Sequence, residues 1–192
     1  MDIGLFFGSF NPIHTGHVII ANHVVYHTSL DEVWLVVSPQ NPFKEKHKML
    51  DAYDRLHLVE LALEGNDKLR SSNIEFNLPK PSYTIDTLTY LHEKYPQHRF
   101  SLLMGGDNLL HFHKWKNHEQ IIAKHHIYVY KRPDSTPDQW AAHPQVTLLP
   151  DTPSLEISST FIRQQIKLGF PITYLVPPAV EQYIDEMGFY KD

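Results

Sequence analysis

Two short strings in this chain combine residue types at spacings suited to phosphate chemistry. The first is Gly8-Ser9-Phe10-Asn11-Pro12-Ile13-His14-Thr15-Gly16-His17. It follows an apolar run, Ile3 to Phe7, and precedes Val18, Ile19, Ala21, Val24 and Val25 at helical spacing. That order predicts a buried strand, a tight loop and a helix. Gly8 lets the backbone approach a ligand closely, and Gly16 does the same at the helix entrance. A helix entrance offers unpaired N–H groups and the positive end of the macrodipole, which suit an anion. His14 and His17 sit at that entrance, and each can give a phosphate oxygen a hydrogen bond or a charge. A His-x-x-His pair also has the residue types of a metal site, and such pairs are common on surfaces.

The second string is Ile157-Ser158-Ser159-Thr160-Phe161-Ile162-Arg163. Three hydroxyl residues at a predicted helix start can cap it or bond a phosphate. Arg163 falls one turn beyond Ser159 on the same face. Its guanidinium fork can hold a phosphate bidentately. An ordinary cap followed by a surface arginine has the same residues.

Apolar runs alternate with helical patterns along the chain, and that alternation positions both strings. Strands are predicted at Ile3 to Phe7, Val33 to Val37, Ile74 to Phe76, Phe100 to Met104, Ile127 to Tyr130 and Val146 to Leu149. Helices are predicted after Asp51 as N-cap, after Ser82 or Thr84 as cap, over Glu119 to Lys124, over Thr160 to Leu168 with Gly169 as its stop, and over Pro178 to Met187 with Gly188 as its stop. This pattern implies an α/β fold: a doubly wound parallel sheet of about six strands with helices on both faces. One domain spans 1–192, and residues 164–192 form a small C-terminal helical segment. Ligands in such sheets bind beyond the carboxyl ends of the strands. Each unusual polar stretch falls there, including Gly8 to His17, Ser38 to Lys44, Pro79 to Thr84, Gly105 to Asn108, Lys131 to Pro133 and Ser158 to Thr160.

Composition bounds the function. The chain has 192 residues, 42% hydrophobic and 20% charged, as ordinary globular domains do. Its net charge of −5 carries no basic surplus for nucleic acid. It has no cysteine, which removes disulfides and thiolate chemistry. No stretch approaches a membrane span. A strand already begun at Ile3 leaves no room for a signal peptide, so a cytoplasmic location is expected. Of its 14 histidines, His111, His113, His118, His125 and His126 cluster, but their spacing fits no structural zinc pattern. Solvated helix faces are the expectation for them. No metal site built from protein ligands is expected, and a homo-oligomer stays open.

His14-Thr15-Gly16-His17, led by Gly8-Ser9-Phe10, resembles the HxGH signature of the nucleotidyltransferase superfamily. Ile157 to Arg163 is similar to that superfamily's ISSTxxR-type triphosphate motif. Pro81-Ser82-Tyr83-Thr84-Ile85-Asp86-Thr87-Leu88, Met104-Gly105-Gly106-Asp107-Asn108 with Trp115, and Arg132-Pro133 resemble segments of bacterial nicotinate-nucleotide adenylyltransferases. The resemblance runs from Gly4 to Arg163. It implies a Rossmann-like fold and transfer of AMP from ATP to nicotinate mononucleotide, with Mg²⁺ accompanying ATP. It also implies catalysis by His14, His17 and Arg163. ATP would meet Gly8, Ser9, Phe10, His14, His17, Gly105, Asp107, Ser158, Ser159, Thr160 and Arg163. The mononucleotide would meet Asn11, Lys44, Tyr83, Thr84, Trp115 and Arg132.

The residue chemistry is compatible with those roles. Trp115 can stack on a pyridinium ring, or be a core tryptophan. The N–H groups around Tyr83 and Thr84 can bind a pyridine carboxylate. Asp107 suits a ribose hydroxyl, or closes a turn. Lys44 and Arg132 suit a phosphate, or are solvated charges. Arg55, mid-helix, is read as surface or pocket wall. Three departures from the family pattern stand out: Asn11 where many members have aspartate, Asn41-Pro42-Phe43-Lys44 in place of a Pro-Pro-His-Lys-like string, and Asp134 where a glycine is usual. Rival expectations are a sister transferase using nicotinamide mononucleotide or phosphopantetheine, a nucleotide-sensing module without turnover, and a metal-dependent hydrolase built on the histidines.

Overall fold

Residues 1–40, 49–132 and 139–191 are described by the computed structural model. Among them six strands form one sheet: β1 Asp2–Gly8, β2 Glu32–Val37, β3 Leu69–Ser72, β4 Arg99–Gly105, β5 Ile127–Tyr130 and β6 Val146–Leu149. Every neighbouring pair is parallel, and the order is β3-β2-β1-β4-β5-β6. The chain winds outward from β1 in one direction, then from β4 in the other. The β1–β4 junction is therefore the switch point, where a crevice opens beyond the strand ends.

Period-two alternation divides the sheet between two cores. Phe6, Val33, Leu35, Val37, Leu103 and Tyr130 belong to one face. Ile3, Leu5, Val36, Leu102, Met104 and Val129 belong to the other. Helices α1 Thr15–His27, α2 Ala52–Leu63, α6 Ser159–Lys167 and α7 Pro178–Met187 cover the first face through Ala21, Val24, Leu58, Val59, Ile162, Val180 and Ile184. Helices α3 Thr84–Lys94, α4 Gly106–Leu110 and α5 His118–Lys124 cover the second through Leu88, Leu91, Leu109 and Ile121. Both faces are buried, which is why strands such as Val33 to Val37 read as unbroken apolar runs. Among the described residues no helix is long and apolar enough to cross a membrane.

The caps follow the sequence in most places. Asp51 accepts from the Tyr53 N–H at 2.8 Å, and Ser158 accepts from the Phe161 N–H at 3.1 Å. Gly169 and Gly188 have φ values of +74° and +66°, the left-handed geometry that ends a helix.

Three expectations are corrected. The third strand is Leu69–Ser72, and Ile74–Asn77 is a 3₁₀ turn. An edge strand that pairs only with β2 needs little apolar content, so Leu69-Arg70-Ser71-Ser72 pairs while Ile74 plugs the core below. Helix α3 is capped by neither Ser82 nor Thr84; Tyr83 is its N-cap residue and makes no side-chain cap bond. His125 is not on a solvated face. It is buried, and its Nδ1–H donates to the Phe100 carbonyl at 2.9 Å. The 41–44 stretch, with Lys44, lies outside the described residues, as do Pro133 and Asp134.

Candidate active site

Beyond the ends of β1 and β4 lies a cavity of about 310 Å³. Gly8, Ser9, Phe10, His17, Tyr83, Thr84, Asp107, Trp115, Arg132 and Ser159 all line it. Residues from five separate loops thus meet at one place. Phe6, Ser38, Glu75, Ser82, Met104, Lys116 and Tyr130 complete much of the wall.

The glycine at position 8 is dictated by packing. Phe10 has φ +43°, and its ring folds back over Gly8, where an added Cβ would stand 2.7 Å from Cζ. That ring also packs edge-on against His17, with centroids 5.1 Å apart. Phe6 adds a second edge contact at 6.0 Å. His14 lies flat on the remaining face of His17, at 3.6 Å and 26°. His17 is therefore held on three sides by rings. The His14 N–H donates to His17 Nδ1 at 3.2 Å. An Nδ1 that accepts places the proton of the neutral ring on Nε2, so His17 can offer an Nε2–H donor.

His14 stands behind His17 rather than among the residues lining the cavity. It is only 5% exposed, and burial, with a smaller contribution from Arg132, holds its pKa down at about 4. It is neutral at pH 7, so it can order His17 without competing with it for charge. The pH dependence of stability follows. Free imidazole titrates at 6.5, so from pH 6.5 down to about 4 the unfolded chain takes up a proton that the folded chain refuses. Stability falls with pH across that window, by up to about 3 kcal/mol from this group. Chemical denaturation of the wild-type chain and of His14→Gln at pH 7.5 and 4.5 checks it. The gap between the two proteins should narrow by about 2–3 kcal/mol at the lower pH.

The amino-terminal loop and the hydroxyl-rich turn meet directly. Ser159 Oγ donates to the Pro12 carbonyl at 2.8 Å. Arg163 Nη1 donates to the Asn11 carbonyl at 2.7 Å, and its Nη2 to Thr160 Oγ1 at 3.3 Å. Ser158 is engaged as the cap of α6. These side chains brace the loop, and Ser159, at the start of α6, lines the same cavity as His17. Trp115, which also lines the cavity, is half-buried and packs on Phe112 at 5.6 Å, so it serves the core and the cavity together. Asp107 and Arg132 form a loose, exposed pair at 3.8 Å on the rim. Gly105 lies beneath them: a Cβ there would collide with the Asp107 carboxylate and come within 3.2 Å of Tyr130.

A family model described as cytidylyltransferase-like matches residues 5–165. A probable nicotinate-nucleotide adenylyltransferase of Flavobacterium psychrophilum is 53% identical over the full length of both chains. One of Cytophaga hutchinsonii is 54% identical, again over all of both chains. The chain belongs to the nicotinate-nucleotide adenylyltransferase family. A solved nicotinic acid mononucleotide adenylyltransferase of Plasmodium falciparum, complexed with NaAD, shares the adenylyltransferase fold. Its TM-score is 0.82 at 18% identity, covering 98% of this chain and 97% of that one.

Within this adenylyltransferase framework, several residues escaped the sequence. Arg55 is 1% exposed. Its Nη1 donates to the carbonyls of Ser9 at 2.6 Å and Ser38 at 2.9 Å, Nη2 to Pro39 at 3.3 Å, and Nε to Leu50 at 2.9 Å. One guanidinium thus ties the loops after β1 and β2 together. Its signal was position: Arg55, Leu58, Val59 and Leu63 share one helical face, the buried one. Glu75 is also buried beside the cavity and accepts from Thr87 Oγ1 at 2.8 Å; burial pushes its carboxyl pKa up. Lys116 lies over the Tyr83 ring at 4.7 Å while pairing with Asp86 at 2.9 Å, which braces the start of α3.

Proposed function

We propose that the chain transfers AMP from ATP to nicotinate mononucleotide, giving deamido-NAD and pyrophosphate. The observation that carries this is one cavity lined together by His17 and Ser159, at the start of α6, and by Trp115, Tyr83 and Thr84, at the start of α3. Imidazole and a helix start suit a triphosphate; an indole beside a second helix start suits a flat ring bearing a carboxylate.

The reaction needs no protein nucleophile. An oxygen of the mononucleotide 5′-phosphate attacks the α-phosphorus of ATP, the bond to the bridging oxygen breaks, and pyrophosphate leaves with that electron pair. The protein aligns the reactants and stabilises the growing charge. His17 gives its Nε2–H to a phosphate oxygen, backed by neutral His14. Arg163, Ser158, Ser159 and Thr160 hold the loop and helix start that receive the β- and γ-phosphates. Gly8, Ser9, Phe10 and Gly105 form the close backbone wall, and Asp107 takes a ribose hydroxyl. Tyr83 and Thr84 offer N–H groups to the pyridine carboxylate, Trp115 stacks on the ring, and Arg132 with Lys44 receives the mononucleotide phosphate. Asn11, itself buried, holds Arg163 through its carbonyl. Mg²⁺ would enter with ATP, held largely by phosphate oxygens and water as its coordination preference allows. Bound in that way, Mg²⁺ would neutralise charge on the phosphates.

A substrate panel tests the proposal. Purified protein with ATP and Mg²⁺ should release pyrophosphate fastest with nicotinate mononucleotide, ahead of nicotinamide mononucleotide and phosphopantetheine. A faster rate with either competitor, or calorimetric ATP binding without pyrophosphate release, overturns the assignment.

A further inference from the structure

Helix α7 stops at Gly188, and the chain then turns back through Phe189 and Tyr190, which has φ +64°. The Tyr190 hydroxyl donates to Asn11 Oδ1 at 2.8 Å, across 179 residues of sequence. The Leu50 N–H donates to the same oxygen at 3.2 Å. The backbone carbonyl of Asn11 receives Arg163, and its neighbour Pro12 receives Ser159. A side chain fixed by Tyr190 therefore belongs to the residue whose backbone aligns the guanidinium of the second string.

We infer that Tyr190 is a positioning residue for triphosphate binding: its hydroxyl fixes Asn11, and Asn11 sets Arg163 and the loop that leads into His17. The inference rests on the assignment of that loop to ATP. The surroundings favour a phenol that donates. Tyr190 lies close to the Arg55 and Arg163 guanidiniums and to Asp54, and burial outweighs both cations in keeping its proton on. Mere packing would need only the ring, whereas positioning needs the hydroxyl and an acceptor at position 11.

Tyr190→Phe removes the hydroxyl and keeps the ring. Its dissociation constant for ATP, measured by calorimetry with Mg²⁺, should rise about five- to tenfold, the equivalent of one hydrogen bond. KM for nicotinate mononucleotide should stay within about twofold, because the lost bond leads to Arg163 rather than to Tyr83, Thr84 or Trp115. Tyr183→Phe, on α7 and packed against Phe189, is the control and should leave both constants unchanged. The coupling is read by a double-mutant cycle: in an Asn11→Ala background, Tyr190→Phe should have no further effect on ATP affinity. Asn11→Asp should bind ATP within about threefold of wild type, since the acceptor oxygen remains. Unchanged ATP affinity in Tyr190→Phe, equal weakening of both substrates, or an undiminished effect in the Asn11→Ala background overturns the inference. If the wild-type chain binds ATP but makes no deamido-NAD, the acceptor assignment fails, while ATP affinities still decide the role of Tyr190. If it binds no ATP, both fall.

Discussion

His17→Ala is expected to lower kcat by about 10²- to 10³-fold, the typical loss when a single preorganised donor to a developing charge is removed. The enclosure by Phe6, Phe10 and His14 makes this donor preorganised: three rings and the His14 N–H hold the imidazole in place. The effect should fall mainly on kcat, with KM for nicotinate mononucleotide changed little, because the contact strengthens as charge builds at the α-phosphate. His17→Gln discriminates donor from cation. Its amide nitrogen can stand near the position of Nε2 and donate without charge, so it should recover about tenfold of the loss. Steady-state rates of pyrophosphate release for the three proteins check both points. A kcat for His17→Ala within threefold of wild type removes His17 from the mechanism.

Arg55→Ala is expected to cost about 3–5 kcal/mol of stability, in the range reserved for broken buried networks. Four carbonyls, from Ser9, Ser38, Pro39 and Leu50, lose their donor together, and each buried acceptor left without one costs about 1–3 kcal/mol before relaxation and water entry. Arg55→Lys should recover little of it, since a single ammonium cannot span four carbonyls in the fork geometry of a guanidinium. Urea unfolding of both variants gives the number directly. Activity should fall further than stability alone requires, because the Ser9 carbonyl anchors the loop that carries Phe10 over Gly8.

What the sequence made legible follows from the kind of force involved. Strands buried on both faces announce themselves as apolar runs, so β1, β2, β4 and β5 lie where the runs are, and the half-exposed edge strand β6 is betrayed by Val146, Leu148 and Leu149. The end strand β3 has only Leu69 buried, and the apolar Ile74 and Phe76 beside it drew attention to the wrong residues. The loops of the candidate site were visible because glycines and histidines at a helix entrance are physically unusual. Arg55 and Tyr190 were not, because their bonds reach 46 and 179 residues along the chain and no local pattern encodes such a partner. The state of His14 was equally out of reach: two histidines three apart look alike as letters, and only burial makes one a neutral support for the other.

The bonds Pro12–Ser159, Asn11–Arg163 and Asn11–Tyr190 also impose an order on biosynthesis. At about 5–20 residues per second, the glycine-histidine loop leaves the ribosome many seconds before the partners that clamp it. The candidate anion-binding cradle is therefore fully braced only once residue 190 has emerged, through loop closures among the longest this topology contains. A nascent polypeptide stalled before the carboxyl-terminal helices should possess most of its sheet and no working catalytic centre.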